Sequence, residues 1–203
     1  MKNAFTLAEI LITMGIIGVV SAMTVPALNQ SWQRDAYTTQ LRKVYSEVAQ
    51  AAVRCKTDNN VQTLTEARIS DTTIKDKFID KYFVVIKPCG TSKTPCFAPT
   101  YKTVTGTSIA SSDFHGCHTV DVIASGAALC TWWSSINEIR IIVDVNGSKD
   151  PNIIGRDVFA MRVHSNTGLV EDTSASTFDS SKTNPIESGA LKSIIDNGWK
   201  MTY

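Results

Sequence analysis

The sequence has almost no net charge and no strongly basic or acidic stretch. Its 20 Lys and Arg residues stand against 19 Asp and Glu residues, which leaves a formal charge of +1. Proteins that bind nucleic acid through electrostatics normally carry a basic patch or stripe, so we expect no nucleic-acid partner. The 43% of hydrophobic residues is enough for a chain of 203 residues to bury a substantial core.

Recognisable catalytic signatures are also missing. The sequence contains no GxSxG, no HExxH and no phosphate-cradling glycine loop. His115, Cys117 and His118 lie in the stretch "HGCH" and could bind zinc, but they supply only three ligands. Cysteine–histidine catalysis at the same place would need a reduced thiolate. We therefore predict that the protein is not an enzyme, with a secreted hydrolase as a distant alternative.

Charge is nearly absent from the long apolar run at residues 5–28. As a helix this run would rise about 36 Å, enough to cross a hydrocarbon core of about 30 Å. Glu9 is its one ionisable residue, and Gly15, Gly18 and Pro26 are poor residues for a helix interior. Because an ionisable residue inside a membrane segment usually has a function, the run predicts more than a plain anchor.

Hydrophobic periodicity predicts one long helix followed by a sheet. Apolar residues recur at i, i+3 and i+4 between residues 41 and 52, so we expect a helix over 5–56 that is amphipathic in its second half. Short apolar or alternating runs follow and indicate an antiparallel meander of three to five strands, at residues 82–86, 119–124, 127–133, 138–145 and 157–164. The predicted fold class is α+β, with the long helix packed on a small antiparallel sheet.

All five cysteines follow the apolar run, so they would be exported if that run is a signal or an anchor. An oxidising compartment favours disulfides. Cys89 and Cys96 bracket a turn-rich loop that suits a short bridge, and Cys117 with Cys130 is the next pair that we expect, which leaves Cys55 over. The sequence does not fix this connectivity, since four cysteines allow three pairings.

A loop rich in hard oxygen ligands lies at residues 144–157 and contains glycine. Such side chains suit calcium, although the loop is not an EF-hand because its glycine comes too early and the terminal Glu is absent. The alternative is a hairpin loop whose side chains cap its own backbone. The candidate calcium ligands are Asp144, Asn146, Asp150, Asn152 and Asp157. We expect no other cofactor.

The start of the chain resembles the prepilin N-terminus shared by type IV pilins, type II secretion pseudopilins and related minor pilins. The resemblance covers residues 1–28 and rests on Lys2 in the leader, the stretch "FTLAE" from Phe5 to Glu9, Gly18 and Pro26. It implies cleavage between Ala4 and Phe5 and N-methylation of Phe5. Ala4 stands where the family usually has glycine. Some pseudopilins also bind calcium in a loop of the sheet region, as the loop above would.

The resemblance implies a division of the chain into four parts. These are a leader (1–4), a transmembrane and assembly half of the helix (5–28), its amphipathic half (29–57) and a globular domain with an antiparallel sheet (58–203). In such a subunit, Glu9 would neutralise the amino terminus of a neighbouring copy in the filament, since an unpaired buried charge is costly. The segment from Gly18 to Pro26 would be where the helix loses regular hydrogen bonding on assembly.

The resemblance therefore predicts the structural subunit of a type IV pilus-like filament. Its partners would be other copies of itself, prepilin peptidase, an inner-membrane platform, an assembly ATPase and, before assembly, membrane lipid. It would cross the inner membrane once and then enter a surface pilus or a periplasmic pseudopilus. The alternatives are a type II secretion pseudopilin, a minor pilin that primes assembly or sits at the tip, and a soluble secreted binding protein. The last would follow from a signal peptide cut after "VSA" (20–22).

Overall fold

The first element is α1, a helix of 52 residues over Leu7–Asp58. The computed structural model describes residues 6–203, apart from the side chain of residue 27, so the predicted leader and the cleavage site between Ala4 and Phe5 lie outside the described residues. The chain divides into two units, Met1–Ala36 and Tyr37–Tyr203, and α1 contributes to both. The predicted single helix is present and ends two residues beyond the expected position.

The second half of α1 packs on the sheet through one stripe of side chains. Six of them are at most 2% exposed and follow the predicted i, i+3, i+4 spacing: Leu41, Val44, Val48, Ala51, Ala52 and Cys55. They share a core with alternate residues of the central strands, among them Ile141 and Met161. Burial of this face, rather than helix propensity alone, fixes this half of α1 to the globular domain.

The main sheet has six antiparallel strands in the order β1-β4-β5-β6-β7-β8. Its strands are β1 Val85–Gly90, β4 Thr119–Ile123, β5 Ala128–Ser134, β6 Glu138–Asp144, β7 Val158–His164 and β8 Val170–Asp172. β4 to β7 confirm the predicted meander, and β8 extends it to a further neighbour. The strand predicted at 82–86 is displaced, because a short helix ends at Tyr82; β1 begins at Val85 and pairs with β4 through two irregularities in register. The sheet thus has one strand more than the three to five predicted. The fold class is α+β, with a long N-terminal helix packed on a small antiparallel sheet.

Several short elements complete the fold. A two-stranded ribbon, β2 Thr100–Lys102 and β3 Ser108–Ala110, occupies a region rich in Ser and Thr. A π-helical turn over Lys75–Ile79 leads into α2, Asp80–Tyr82, and α3 covers Ala190–Asp196 near the carboxyl terminus. Single 3-10 turns occur at Ser111–Asp113 and Pro185–Glu187.

The sheet separates two cores. The α1 side contains Trp133 among the partly buried residues, whereas Trp132 lies in the second core, 3% exposed. This second core lies between the far face of the sheet and the segments around β2 and β3, and it includes Phe97, Tyr101 and Ile142. Adjacent residues of a strand point to opposite faces, and this places the two tryptophans in different cores.

The carboxyl-terminal segment returns to α1, and the Tyr203 hydroxyl donates to the carbonyl oxygen of Gly155, in the loop before β7, at 2.9 Å. The Trp199 ring lies edge-on to the Tyr45 ring with 5.2 Å between centroids, and the Arg42 guanidinium lies 5.6 Å from the Trp199 ring. Tyr203 stacks on Phe178 with centroids 3.8 Å apart. These contacts tie the end of the chain to the globular unit.

Candidate functional site

The first half of α1 presents an apolar surface with no cover among the described residues. Every described side chain from residue 6 to residue 33 is exposed. Large aliphatic residues are included, with Leu7 76% and Met23 75% exposed. Exposed apolar surface of this extent marks a site of contact with membrane or with other protein, because water alone solvates it poorly.

Thr6 and Glu9 form a reciprocal cap at the start of α1. The backbone N–H and the hydroxyl of Thr6 each donate to Oε2 of Glu9 at 2.8 Å. The Glu9 N–H points back to the Thr6 hydroxyl oxygen at 3.3 Å. This is the capping-box arrangement, in which two residues three positions apart satisfy backbone donors that the first helical turn leaves free.

Thr6 is a residue of the site that the sequence analysis did not single out. The motif "TLAE" (6–9) carries the S/T-x-x-E signature of a capping box, so a search for helix starts would have found it. The structure therefore gives Glu9 a partner within its own chain, next to the position where cleavage is predicted.

α1 continues through Gly18 and Pro26 without interruption. Pro26 has no N–H, so it cannot donate to the carbonyl group four residues earlier. The surface at Gly18 is open, since a Cβ placed there would meet no atom within 4 Å. The predicted loss of helical hydrogen bonding between these residues concerns an assembled filament, and it stays a prediction.

One helix in the described part of the chain, α1, is long and apolar enough to cross a membrane. Trp32 follows the apolar run and is 71% exposed. Tryptophan is enriched where a membrane-spanning helix meets the headgroup layer. The length, composition and flanking aromatic residue are all compatible with a membrane-anchored protein.

Two disulfides close short segments of the globular domain. Cys89 bonds to Cys96, and Cys117 bonds to Cys130; these are the two pairs that the sequence analysis singled out. Cys55 is a free thiol, completely buried in the face of α1 that packs on the sheet, and burial raises its pKa. The fifth cysteine, which has no disulfide partner, is therefore a core residue.

The disulfide at Cys117 also decides the chemistry of the "HGCH" stretch. With its sulfur bonded to Cys130, Cys117 offers no thiolate for zinc or for nucleophilic attack. The His115 ring stacks on Trp132 at 4.3 Å, and Nδ1 of His118 lies 3.0 Å from a carboxylate oxygen of Asp71. Both imidazoles therefore have structural partners.

The loop at residues 144–157 places two carboxylates in the protein interior. Asp144 and Asp157 are both completely buried. Burial and the neighbouring charge of Asp157 hold the pKa of Asp144 well above its usual value, and burial raises the pKa of Asp157 to about 6. Two neighbouring acids in the interior favour a proton or a cation as a partner, because their negative charges repel each other.

The same carboxylates accept hydrogen bonds from the surrounding backbone and from Tyr101. Asp157 accepts the N–H groups of Asn152 and Ile153, both at 2.7 Å. Asp144 accepts the Tyr101 hydroxyl at 2.6 Å and the Asn146 N–H at 3.2 Å. These bonds are the self-capping arrangement that the sequence left open as an alternative to calcium.

The amide side chains of this loop leave room for a further partner. The Oδ1 atoms of Asn146 and Asn152 are buried, and neither has a hydrogen-bond partner in the part of the chain that the structure describes. Asp150 is exposed and accepts the Asn152 amide at 2.9 Å. Among residues 6–203, no group of three or more His, Cys, Asp or Glu side chains is arranged to hold a metal ion.

Comparisons of the chain with protein-family models, with curated proteins and with solved structures gave no match.

Proposed function

We propose that the protein is a type IV pilin-like subunit that is cleaved before Phe5 and polymerises through the first half of α1. The observation that carries the proposal is the exposed apolar surface of residues 6–33, which includes one carboxylate, Glu9, at its start. A membrane anchor requires the apolar residues but not the acid. A helix that moves from lipid into a filament requires both, because the acid can select the register of docking.

The globular unit suits the outer part of such a filament. Its two disulfides and its six-stranded sheet make it a stable body outside the reducing cytoplasm. Trp32 would mark the outer headgroup layer before assembly, because it lies about 6 Å along the helix beyond Leu28, the end of the apolar run. Before assembly, the subunit would thus be anchored in the inner membrane with its sheet domain on the side away from the cytoplasm.

The experiment that tests this proposal is the intact mass and N-terminal sequence of the protein recovered from its native membrane or sheared surface fraction. The expected chain begins at Phe5 and is heavier by one methyl group. A chain that begins at Met23 would establish an ordinary signal peptide and would overturn the proposal. A chain that retains Met1 would contradict prepilin processing.

A variant at the cleavage position supplies the matched control. Ala4→Gly restores the residue usual in the family and should raise the fraction that begins at Phe5. Ala4→Leu places a bulky residue before the cut and should lower that fraction. Equal fractions in both variants would show that the cut is made by an enzyme with a different preference, against the proposal.

A further inference from the structure

Three charged side chains from three neighbouring strands meet on the face of the sheet that points away from α1. Glu138 on β6 stands directly opposite His164 on β7, and Glu171 lies on β8 beside it. Their neighbours Ile139, Val163 and Val170 belong to the core on the α1 side, so alternation places the charged residues on the other face. β8 is an edge strand of only three residues.

His164 lies between two carboxylates, one at each ring nitrogen. Nδ1 is 3.1 Å from Oε1 of Glu138, and Nε2 is 3.0 Å from Oε2 of Glu171. A neutral imidazole has one N–H and can donate to only one of them, whereas an imidazolium donates to both. The geometry therefore corresponds to the protonated ring, and loss of the proton would set a nitrogen lone pair against a carboxylate oxygen.

The dependence on His164 is strongest for Glu138. This residue is only 6% exposed, and a buried carboxylate without a hydrogen-bond donor is costly. Among the described residues, His164 is the one ion-pair partner within hydrogen-bond distance of the Glu138 carboxylate. Arg140 and Arg162 approach the oxygens of Glu138 only to 3.6 and 3.8 Å. A neutral His164 would keep its single N–H on this buried acid, so the contact between Nε2 and Glu171 on β8 would be lost.

The other charged groups around His164 contribute to the net charge of the cluster, but none of them replaces the contact between His164 and Glu138. The hydrogen bond with His164, and then that with Arg162 at 3.2 Å, lowers the pKa of Glu171. Lys56 of α1 reaches the β7–β8 turn, where it donates to the carbonyl oxygens of Asn166 and Thr167 at 3.1 Å. Two arginines already balance the charges of the two glutamates, so the cluster can exist with or without the proton on His164.

We propose that Glu138, His164 and Glu171 form a proton-dependent clasp that fixes the edge strand β8 to the sheet when His164 is protonated and loosens it when the ring is neutral. Histidine is the side chain whose unperturbed charge change lies between about pH 5 and 8, so this is the range over which the clasp is tested. It also forms one wall of a cleft of about 370 Å³ that Thr65, Asn137 and Leu169 line. This inference does not depend on the proposed filament function.

Hydrogen exchange of the full chain in detergent micelles tests the clasp. The protection factors of the β8 amides, corrected for intrinsic exchange, should fall at least tenfold between pH 5.5 and pH 8. The amides of β5 and β6 should change less than twofold, because each of these strands is hydrogen-bonded to a neighbour on both sides. Unchanged β8 protection across this range in the wild-type chain would overturn the proposal.

Two variants separate the clasp from other effects of pH. His164→Gln keeps a polar side chain without a titratable ring and should remove the pH dependence of β8. His118→Gln removes a histidine whose ring pairs with the Asp71 carboxylate, away from β8, and should leave the tenfold change intact. Glu171→Gln alters a side chain that is 41% exposed, so it should fold, and its β8 protection at pH 5.5 should resemble that of the wild type at pH 8. A tenfold change that persists in His164→Gln or in Glu171→Gln would contradict the clasp.

Discussion

Thr6 gives both its backbone N–H and its hydroxyl to the same carboxylate oxygen of Glu9, each at 2.8 Å. Glu9 thus has two roles that can be separated: it caps its own helix, and in the proposed filament it pairs with the amino terminus of another copy. Its second oxygen, Oε1, has no hydrogen bond to the described residues, so the cap leaves it available for an incoming amine. The two roles require different properties of the side chain, since capping needs an acceptor and pairing needs a negative charge.

We predict that Glu9→Gln inserts into the membrane but assembles at least tenfold fewer filaments than the wild type. Glutamine can still accept the bonds from Thr6, because a capping box functions with either residue, but it carries no charge. Thr6→Val is the matched control; it weakens the cap, retains the carboxylate and should assemble filaments. The measurement is the amount of protein in sheared surface fractions relative to the membrane. Normal filaments from Glu9→Gln would refute the charge-pairing role and leave capping as the reason for the acid.

The disulfide between Cys117 and Cys130 should be an important part of the stability of the globular domain. The two residues are 13 positions apart, and Cys130 is completely buried. A bridge that closes a loop of this size stabilises by about 3 kcal/mol in the chain-entropy description. We expect the double variant Cys117→Ala, Cys130→Ala to lose about that free energy of unfolding, measured with denaturant.

Cys55 supplies the control for this experiment. The unreduced, denatured protein should contain one titratable thiol per chain, because four of its five cysteines are bonded. A count of three or five thiols in the protein from its native compartment would show that one or both bridges are absent there.

The contact between Trp199 and Tyr45 is tested with two substitutions at one position. Trp199 has a φ of +64°, which disfavours any residue except glycine. Trp199→Ala should lose about 2 kcal/mol of unfolding free energy, because it removes a partly buried indole and an edge-to-face ring pair. Trp199→Gly removes the same ring but relieves the backbone, so it should be more stable than Trp199→Ala by roughly 1 kcal/mol. If Trp199→Ala is more stable than Trp199→Gly, residue 199 does not have a left-handed backbone conformation in solution.

The order of elements was predictable from sequence because hydrophobic periodicity is local. The stripe from Leu41 to Cys55 and the alternation along β6 and β7 are each visible within a few residues. The division of Trp132 and Trp133 between the two faces followed from the same period of two. The β2–β3 ribbon was missed because its strands are three residues long and their neighbours are polar.

The charged cluster on β6, β7 and β8 could not be predicted, because it depends on the register in which these strands pair. Glu138, His164 and Glu171 are separated by up to 33 positions, and only the pairing of β6 with β7 and of β7 with β8 brings them together. The loop acids Asp144 and Asp157 were singled out as oxygen ligands, but their complete burial follows from the second core, which no local pattern revealed.

The buried loop acids make a calcium effect measurable. A cation bound between Asp144 and Asp157 would neutralise the two charges and could use the unpartnered oxygens of Asn146 and Asn152. We propose that millimolar calcium, but not magnesium at the same concentration, raises the unfolding temperature at pH 7. Asp157→Asn should abolish that increase. An unfolding temperature that calcium leaves unchanged would mean that the loop is held by its own hydrogen bonds alone.

In the absence of calcium, the same acid should make the protein more stable as the pH falls. The pKa of Asp157 is raised from 3.8 to about 6 in the folded protein, so between these values the folded state binds the proton more tightly than the unfolded state. The destabilisation from the buried charge is complete above pH 6 and disappears as the pH approaches 3.8.

Other groups titrate in this range, and the comparison with Asp157→Asn removes their contribution. The lowered pKa of Glu171 acts in the opposite direction, because its ionised form stabilises the fold and is lost on acidification. Asparagine at position 157 keeps one acceptor oxygen and cannot ionise. The unfolding free energy of the wild type relative to this variant should therefore rise by about 2 kcal/mol from pH 7 to pH 4.5, measured by denaturant titration with a chelator present. A difference in unfolding free energy that stays constant with pH would show that Asp157 ionises in the folded protein at no cost. Its buried charge would then give no reason to expect a bound cation.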